Sequence, residues 1–301
     1  MAVKPQGISG YGAEVTAACE RVLVTLLRSL GPWRDTVYLI GGLTPRYLIK
    51  ARPPEIAPHA GTGDVDLVID MAMLAEVEAY RTLEGNLEEI GFSRVKKPDG
   101  TEVSWRWEVE VGHGKVVLEF LTDDPKLGAS KIQVLPTDSK VTACNIPHAS
   151  MVQDFHEKVV VTADLLNDGG TTSETVRFAD IVSFTALKAL AFDDRALRKD
   201  AHDLVYCLEH YEGGVEAAVE MFRAALQTKH AAVLRRVLDI LRNRFADADP
   251  ERSYRREGPV AVARFEDDDA DVGTDEAARN ARILRQRRAA DVVTALITPL
   301  L

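Results

Sequence analysis

Cysteine is scarce in this chain, with three in 301 residues. Cys19, Cys144 and Cys207 are far apart, odd in number, and none has a second cysteine nearby. That spacing excludes a disulfide framework and a zinc knuckle, and it suits free thiols in a reducing cytoplasm. Long hydrophobic runs are missing too: no apolar stretch approaches the roughly 20 residues that span a bilayer. No membrane partner is therefore expected. The N-terminal "MAVKPQGISGYG" lacks a basic region followed by an apolar core, so no signal peptide is expected. An excess of basic charge is also absent. The formal net charge is −10, which is not the balance of a general nucleic-acid binder.

What is present describes a soluble globular protein. A chain that is 46% hydrophobic and 28% charged over 301 residues fits one large domain or two modest ones. Its charge is uneven. The acidic stretch "FEDDDADVGTDE" (265–276) is followed by Arg279, Arg282, Arg285, Arg287 and Arg288, which leaves room for a local basic surface.

Periodicity divides the chain in two. Residues 13–30 repeat apolar positions at helical spacing and stop at Gly31-Pro32. "TVYLIGG" reads as a buried strand ending in a glycine turn, followed by a helix start and the proline-rich loop "KARPPEIAPHAGTG". "DVDLVID" is the next strand and "MLAEVEAYRTLEGNLEEIGF" the next helix. "VSWRWEVEV" and "KVVLEFLTDD" form two strands about the turn "GHG", and "FHEKVVVTADLL" with "ETVRFA" a further pair. From about Asp180 four helical patterns follow with short breaks. Residues 246–275 are polar, acidic and turn-rich, the composition of a mobile loop or linker, and a last helix runs from about Asp275 to Leu296. The expected fold class is α+β, with domains at 1–179 and 180–301.

The chemistry gathers at "TGDVDLVID". Successive strand residues point to opposite faces, so Asp64 and Asp66 project to one side while Val65 and Leu67 face the core. Two carboxylates so placed repel unless solvated, protonated or bridged by a cation, and a hard divalent ion suits oxygen ligands. A solvated strand entrance or an Asx-type turn would explain the same residues. Gly41 and Gly42 end the preceding strand, where backbone N–H groups can approach a phosphate. Glu119 interrupts the apolar "KVVLEFL", where an unpaired carboxylate is costly. Either it faces solvent at an edge, or it shares a site with the aspartates.

Taken together, strand–Gly-Gly–helix, a D-x-D strand and a later acidic strand resemble the nucleotidyltransferase superfamily. The matching residues are Gly41, Gly42, Asp64, Asp66 and Glu119. The resemblance implies a mixed sheet flanked by helices, followed here by a helical C-terminal domain. It implies a pair of magnesium ions held by Asp64, Asp66 and Glu119, and transfer of a nucleoside monophosphate from a nucleoside triphosphate. "ALKALAFDDRALRKDAHDLVYCLEH" looks like the AbiEii/AbiGii toxin branch, in which a helix lysine precedes "(R/K)xKDxxDL". Lys188 matches that lysine, and Lys199, Asp200, Asp203 and Leu204 match the second element. The stretch from Gly42 to Asp64 is longer than the family's pattern.

On this resemblance Asp64, Asp66, Glu119, Lys188 and Asp203 are the catalytic candidates. Gly41, Gly42, Arg46, Thr62, Lys188 and Asp200 are the candidates for holding the nucleotide. Read physically, Lys188 sits among Leu187, Leu190 and Ala191, so it needs a partner such as Asp203 or a triphosphate. A structural Lys–Asp bridge between adjacent helices is the alternative. His202 reads as a polar helix residue. The branch includes toxins of toxin–antitoxin and phage-defence loci, some resembling enzymes that modify the 3′ end of tRNA. An RNA acceptor, an antitoxin partner and a cytoplasmic location follow as expectations. Arg235, Arg236, Arg242 and Arg244 then either grip an RNA backbone or form a solvated helix face. Two other readings remain open: transfer onto a small molecule, as antibiotic-modifying nucleotidyltransferases do, and a catalytically inactive binding protein of the same fold.

Overall fold

The computed structural model describes residues 5–76, 83–112, 114–135, 141–167 and 169–301. It resolves into two compact units. The first is built from Gly12–Tyr47 and Gly61–Asp180, the second from Leu48–Ala60, Ile181–Leu301 and the described part of Ala2–Tyr11. The first unit ends at Asp180, and the proline-rich loop and the N-terminal segment cluster with the helices that follow.

In the first unit, helix α1 (Ala13–Leu30) buries a stripe running from Cys19 through Val22, Leu23 and Leu26 to Leu30. It stops at Gly31, whose φ of 55° no helix continues. Strand β1 (Val37–Ile40) leads into helix α2 (Pro45–Leu48), and β2 (Asp64–Ile69) follows the loop. Helices α3 (Met71–Glu76) and α4 (Leu83–Glu89) occupy the segment expected to hold one helix, whose residues 77–82 lie outside those described. The Asp70 carboxylate caps α3 by accepting from Ala72 and Met73.

Then come β3 (Ser93–Lys96), β4 (Glu102–Val111), β5 (Gly114–Thr122), β6 (Ile132–Val134), β7 (Thr142–Asn145), helix α5 (Met151–Asp154), β8 (His156–Asp164) and β9 (Thr171–Ala179). The strands join one mixed sheet in the order β3-β4-β5-β2-β1-β9-β8, with β7 on β5 and β6 on β7. The β1–β2 pair is antiparallel, β2–β5 parallel and β4–β5 antiparallel. Helix α1 packs on β2, β5, β8 and β9. The strands missed by pattern reading, β3, β6 and β7, have three or four residues each. That is too short to establish a period, and buried β7 reads Thr-Ala-Cys-Asn.

The second unit is helical: α6 (Ile181–Arg195), α7 (Arg198–His210), α8 (Gly214–Ala225), α9 (Ala231–Phe245), α10 (Glu257–Glu266) and α11 (Glu276–Ile297). Helix α6 is in contact with α7, α8 and α9. The expectation of a mobile loop over 246–275 is corrected by α10, which buries Ala261, Val262, Ala263 and Phe265 against α7 and α11. The acidic run around it is neutralised locally. Glu266 pairs with Arg285, Asp267 with Arg282, and Asp269 with Arg198. All three cysteines are free and buried. No helix among the described residues is long and apolar enough to cross a membrane.

Candidate active-site acids and a buried lysine network

Register places the acids of the first unit in one row. Ile40 pairs with Asp66, Asp66 with Glu119, and Glu119 with Arg106. Directly paired residues project from the same face of a sheet, so Asp66 and Glu119 are neighbours. Asp64 shares their face through the period of two. The intervening Val65 and Leu67 are 0% and 1% exposed, whereas both aspartates are half-buried.

The glycine turn closes over this row. Gly41 has φ of 74°, and a Cβ added there would lie 1.9 Å from Asp66 Oδ2. The backbone thus passes as near to the carboxylate as only glycine permits. Before Asp64 a second glycine, Gly61 (φ 91°), leaves 2.2 Å between an added Cβ and Thr16 Oγ1. The Thr62 hydroxyl accepts from Asp64 N at 3.1 Å, and Thr62 N donates to Thr16 Oγ1 at 3.0 Å. Thr62 is 5% exposed, so in this structure it shapes the turn that aims Asp64. The donors of the row are all carboxylate oxygens, a set that fits a hard divalent ion, and the missing Cβ of Gly41 lets Asp66 stand among them.

Glu119 has a partner that sequence reasoning missed. Arg106, opposite it on β4, reaches Glu119 Oε1 at 2.7 Å and stacks over the Trp105 ring at 5.4 Å. This ion pair explains how a carboxylate persists in an apolar strand. Charged residues alternating with tryptophans in "WRWEVEV" were the available signal. Arg46 is held as well. Its Nε and Nη2 donate to the two Glu20 oxygens at 2.6 and 3.0 Å, and the Tyr47 hydroxyl donates to Glu20 at 3.1 Å.

In the second unit, Lys188 of α6 is 8% exposed and lies between two carboxylates of α7. Its Nζ donates to Asp200 Oδ1 at 3.0 Å and Asp203 Oδ2 at 2.6 Å. Asp200 also receives a fork from Arg195, at 2.7 and 3.0 Å. Asp203 is fully buried and receives Lys199 Nζ on both oxygens at 2.8 Å. Burial alone would lower the Lys188 pKa, but Asp203 and Asp200 outweigh it and raise it. Burial wins at Lys199, whose pKa is lowered despite Asp203. Asp203 faces a burial penalty as well, yet Lys188 and Lys199 hold it well below the ordinary carboxylate value.

Two histidines not expected to take part complete this network. His59, from the proline-rich loop, places Nε2 2.9 Å from Asp203 Oδ1, and burial depresses its pKa to about 4. The same loop is pinned by Tyr206, whose hydroxyl donates to Ala57 O at 2.9 Å. His202, read as a polar helix residue, is 2% exposed. Only the long spacing between "PHA" and "KDAHDL" hid this association.

A mixed sheet carrying paired aspartates beside a glycine turn, joined in sequence to a lysine–aspartate helix pair, is the make-up of a nucleotidyltransferase, and the chain is an enzyme of that class. The family described as "Nucleotidyl transferase AbiEii toxin, Type IV TA system" matches residues 61–259. With well over half of its length matched, the chain belongs to that family of toxin–antitoxin toxins. The match includes Asp64, Asp66, Glu119, Lys188, Asp200 and Asp203, whereas Gly41, Gly42, Arg46 and His59 precede it. No curated protein and no solved structure matches the chain significantly.

Proposed function

We propose that this toxin-family nucleotidyltransferase moves a nucleoside monophosphate from a nucleoside triphosphate to RNA, at the 3′ end of tRNA, with magnesium as cofactor, in the cytoplasm. The observation that carries the reading is the row of Asp66 and Glu119, with Asp64 on the same face and Gly41 against Asp66. Asp64 and Asp66 are the metal ligands, and Glu119 serves as third ligand or as base toward the acceptor hydroxyl. Magnesium, when bound there, neutralises phosphate charge and activates that hydroxyl.

The N–H groups at Gly41 and Gly42 approach the phosphates, with Arg46 behind them and Thr62 fixing the turn. In the helical unit Lys188 holds the triphosphate, Asp203 orients Lys188, and Asp200 shares it with Arg195. An antitoxin is the expected partner.

For RNA, the arginines divide by their existing partners. Arg244 is committed to Asp193 and Glu257, Arg242 to Asp239, Arg282 to Asp267, and Arg285 to Glu209 and Glu266. Arg235, Arg236, Arg279 and Arg288 are exposed, and these supply the phosphate contacts. The acidic total charge favours a second reading somewhat, transfer onto a cationic small molecule. The test incubates the protein with labelled nucleoside triphosphates, magnesium and tRNA. Label on tRNA that disappears with Asp66→Asn supports the proposal. Transfer that survives Asp66→Asn refutes the assignment of the acids, and aminoglycoside resistance without growth arrest would favour the small-molecule reading.

A further inference from the structure

Helix α7 holds a nitrogen with nothing to do. His202 is 2% exposed, and its Nδ1 lies 3.0 Å from Glu266 Oε1. Glu266 is half-buried and also accepts from Arg285 Nε and Nη2, at 2.5 and 2.8 Å. It is therefore a carboxylate that accepts, and His202 Nδ1 carries the hydrogen. Nε2 is left with a lone pair, buried, and without a hydrogen-bond partner among the described residues. Such an orphan calls for a ligand. The His59 ring stacks beside it, with centroids 5.5 Å apart at 27°. One ligand atom from each of His59, His202 and Asp203 lies within 4.8 Å of the others.

We propose that His59, His202 and Asp203 form a binding site for a borderline transition-metal ion of the Zn2+ class, built from different residues than the sheet acids. Two imidazole nitrogens and one carboxylate oxygen suit zinc, cobalt or nickel rather than magnesium, with a fourth position left for water. Glu266 is the outer carboxylate that fixes the tautomer and orientation of a metal-binding histidine. His59, whose side chain is 12% exposed, is the side from which an ion arrives. To bind through Nε2 it moves its hydrogen to Nδ1, with no net gain or loss of protons.

The ion has competitors. Asp203 Oδ1 already receives His59 and Lys199, while Oδ2 receives Lys188 and Lys199. A metal on Oδ1 displaces Lys199 and adds positive charge beside Lys188. Resting on the role proposed for Lys188 and Asp203, zinc therefore inhibits nucleotidyl transfer; the binding site itself does not depend on that role.

The experiment titrates chelator-treated, full-length protein with Zn2+ by calorimetry and with Co2+ by visible absorption. Expected are about one ion per chain and the d–d bands of tetrahedral Co2+. His202→Asn and His59→Gln each weaken binding by roughly tenfold or more, Glu266→Gln by roughly tenfold, and Lys199→Met tightens it. No binding to the wild type, or binding undiminished in both histidine variants, overturns the site. Should those variants not fold, the wild-type Co2+ spectrum and Lys199→Met decide, and octahedral bands or an unchanged affinity overturn it. Transfer measured with and without zinc is read separately. Bound zinc that leaves transfer unchanged overturns the inhibition alone.

Discussion

The Asp66 carboxylate occupies the space that a side chain at position 41 would need, since a Cβ on Gly41 would stand 1.9 Å from Asp66 Oδ2. The turn after β1 and a side chain of β2 thus share one volume, and the backbone at 41 adopts a left-handed conformation to allow it. Gly41→Ala must either push Asp66 aside or unwind the turn. The expected cost is ~1–2 kcal/mol of stability, with transfer reduced on the order of a hundredfold by displacement of the acid. Chemical denaturation and the labelled-nucleotide assay measure the two effects. An active Gly41→Ala enzyme would detach the glycine turn from the site.

Asp203 is the hub of the buried charges, and the two ends of its bridge to Lys188 are not equivalent. Asp203→Ala strands Lys199 and leaves Lys188 with Asp200 alone, so a loss of about 3–5 kcal/mol is expected. Lys188→Met costs less, because Asp203 keeps Lys199 and His59. Urea unfolding of both variants checks the order. The reverse order would mean that Lys188 rather than Asp203 organises the cluster.

Acid should loosen the helical unit through His59 before its carboxylates titrate. The His59 pKa falls from an ordinary 6.5 to about 4 on burial. Between those values the unfolded chain holds the proton and the folded chain does not, so stability declines as pH drops from 6.5 towards 4. The full loss is up to about 3 kcal/mol. Asp200 and Asp203, with depressed values, give up their stabilisation only at lower pH, as each is protonated in the folded state. Unfolding free energies of wild type and His59→Gln across this range are the measurement. The His59→Gln curve is expected to be flatter between pH 4 and 6.5, and parallel curves would contradict it.

Residues 257–266 form a packed helix despite their acidic setting. Phe265 is 0% exposed and lies 4.9 Å from the His202 ring, centroid to centroid. Phe265→Ala is expected to cost ~3–5 kcal/mol, and limited proteolysis of the wild type should spare this segment. Cleavage within it, or a cost near zero, would restore the picture of a loose linker.

Much of the architecture was legible because it rests on local period. Helix α1 stands at Ala13–Leu30, where the apolar spacing and Gly31-Pro32 put it, and α6 to α9 appear as four helices with short breaks. Polar composition misled at α10, where the acids are matched by arginines from α7 and α11. The alternation of β2 put Asp64 and Asp66 on one face before any register was known.

By itself the sequence determined the helix and strand periods, the shared face of the aspartates and the family motifs, since these depend on residues a few positions apart. Only tertiary structure decided that Asp66 lies opposite Glu119, that Arg106 takes Glu119, and that His59 reaches Asp203. Those pairings span up to 144 positions, and the register and packing that set them answer to the whole core rather than to any local pattern.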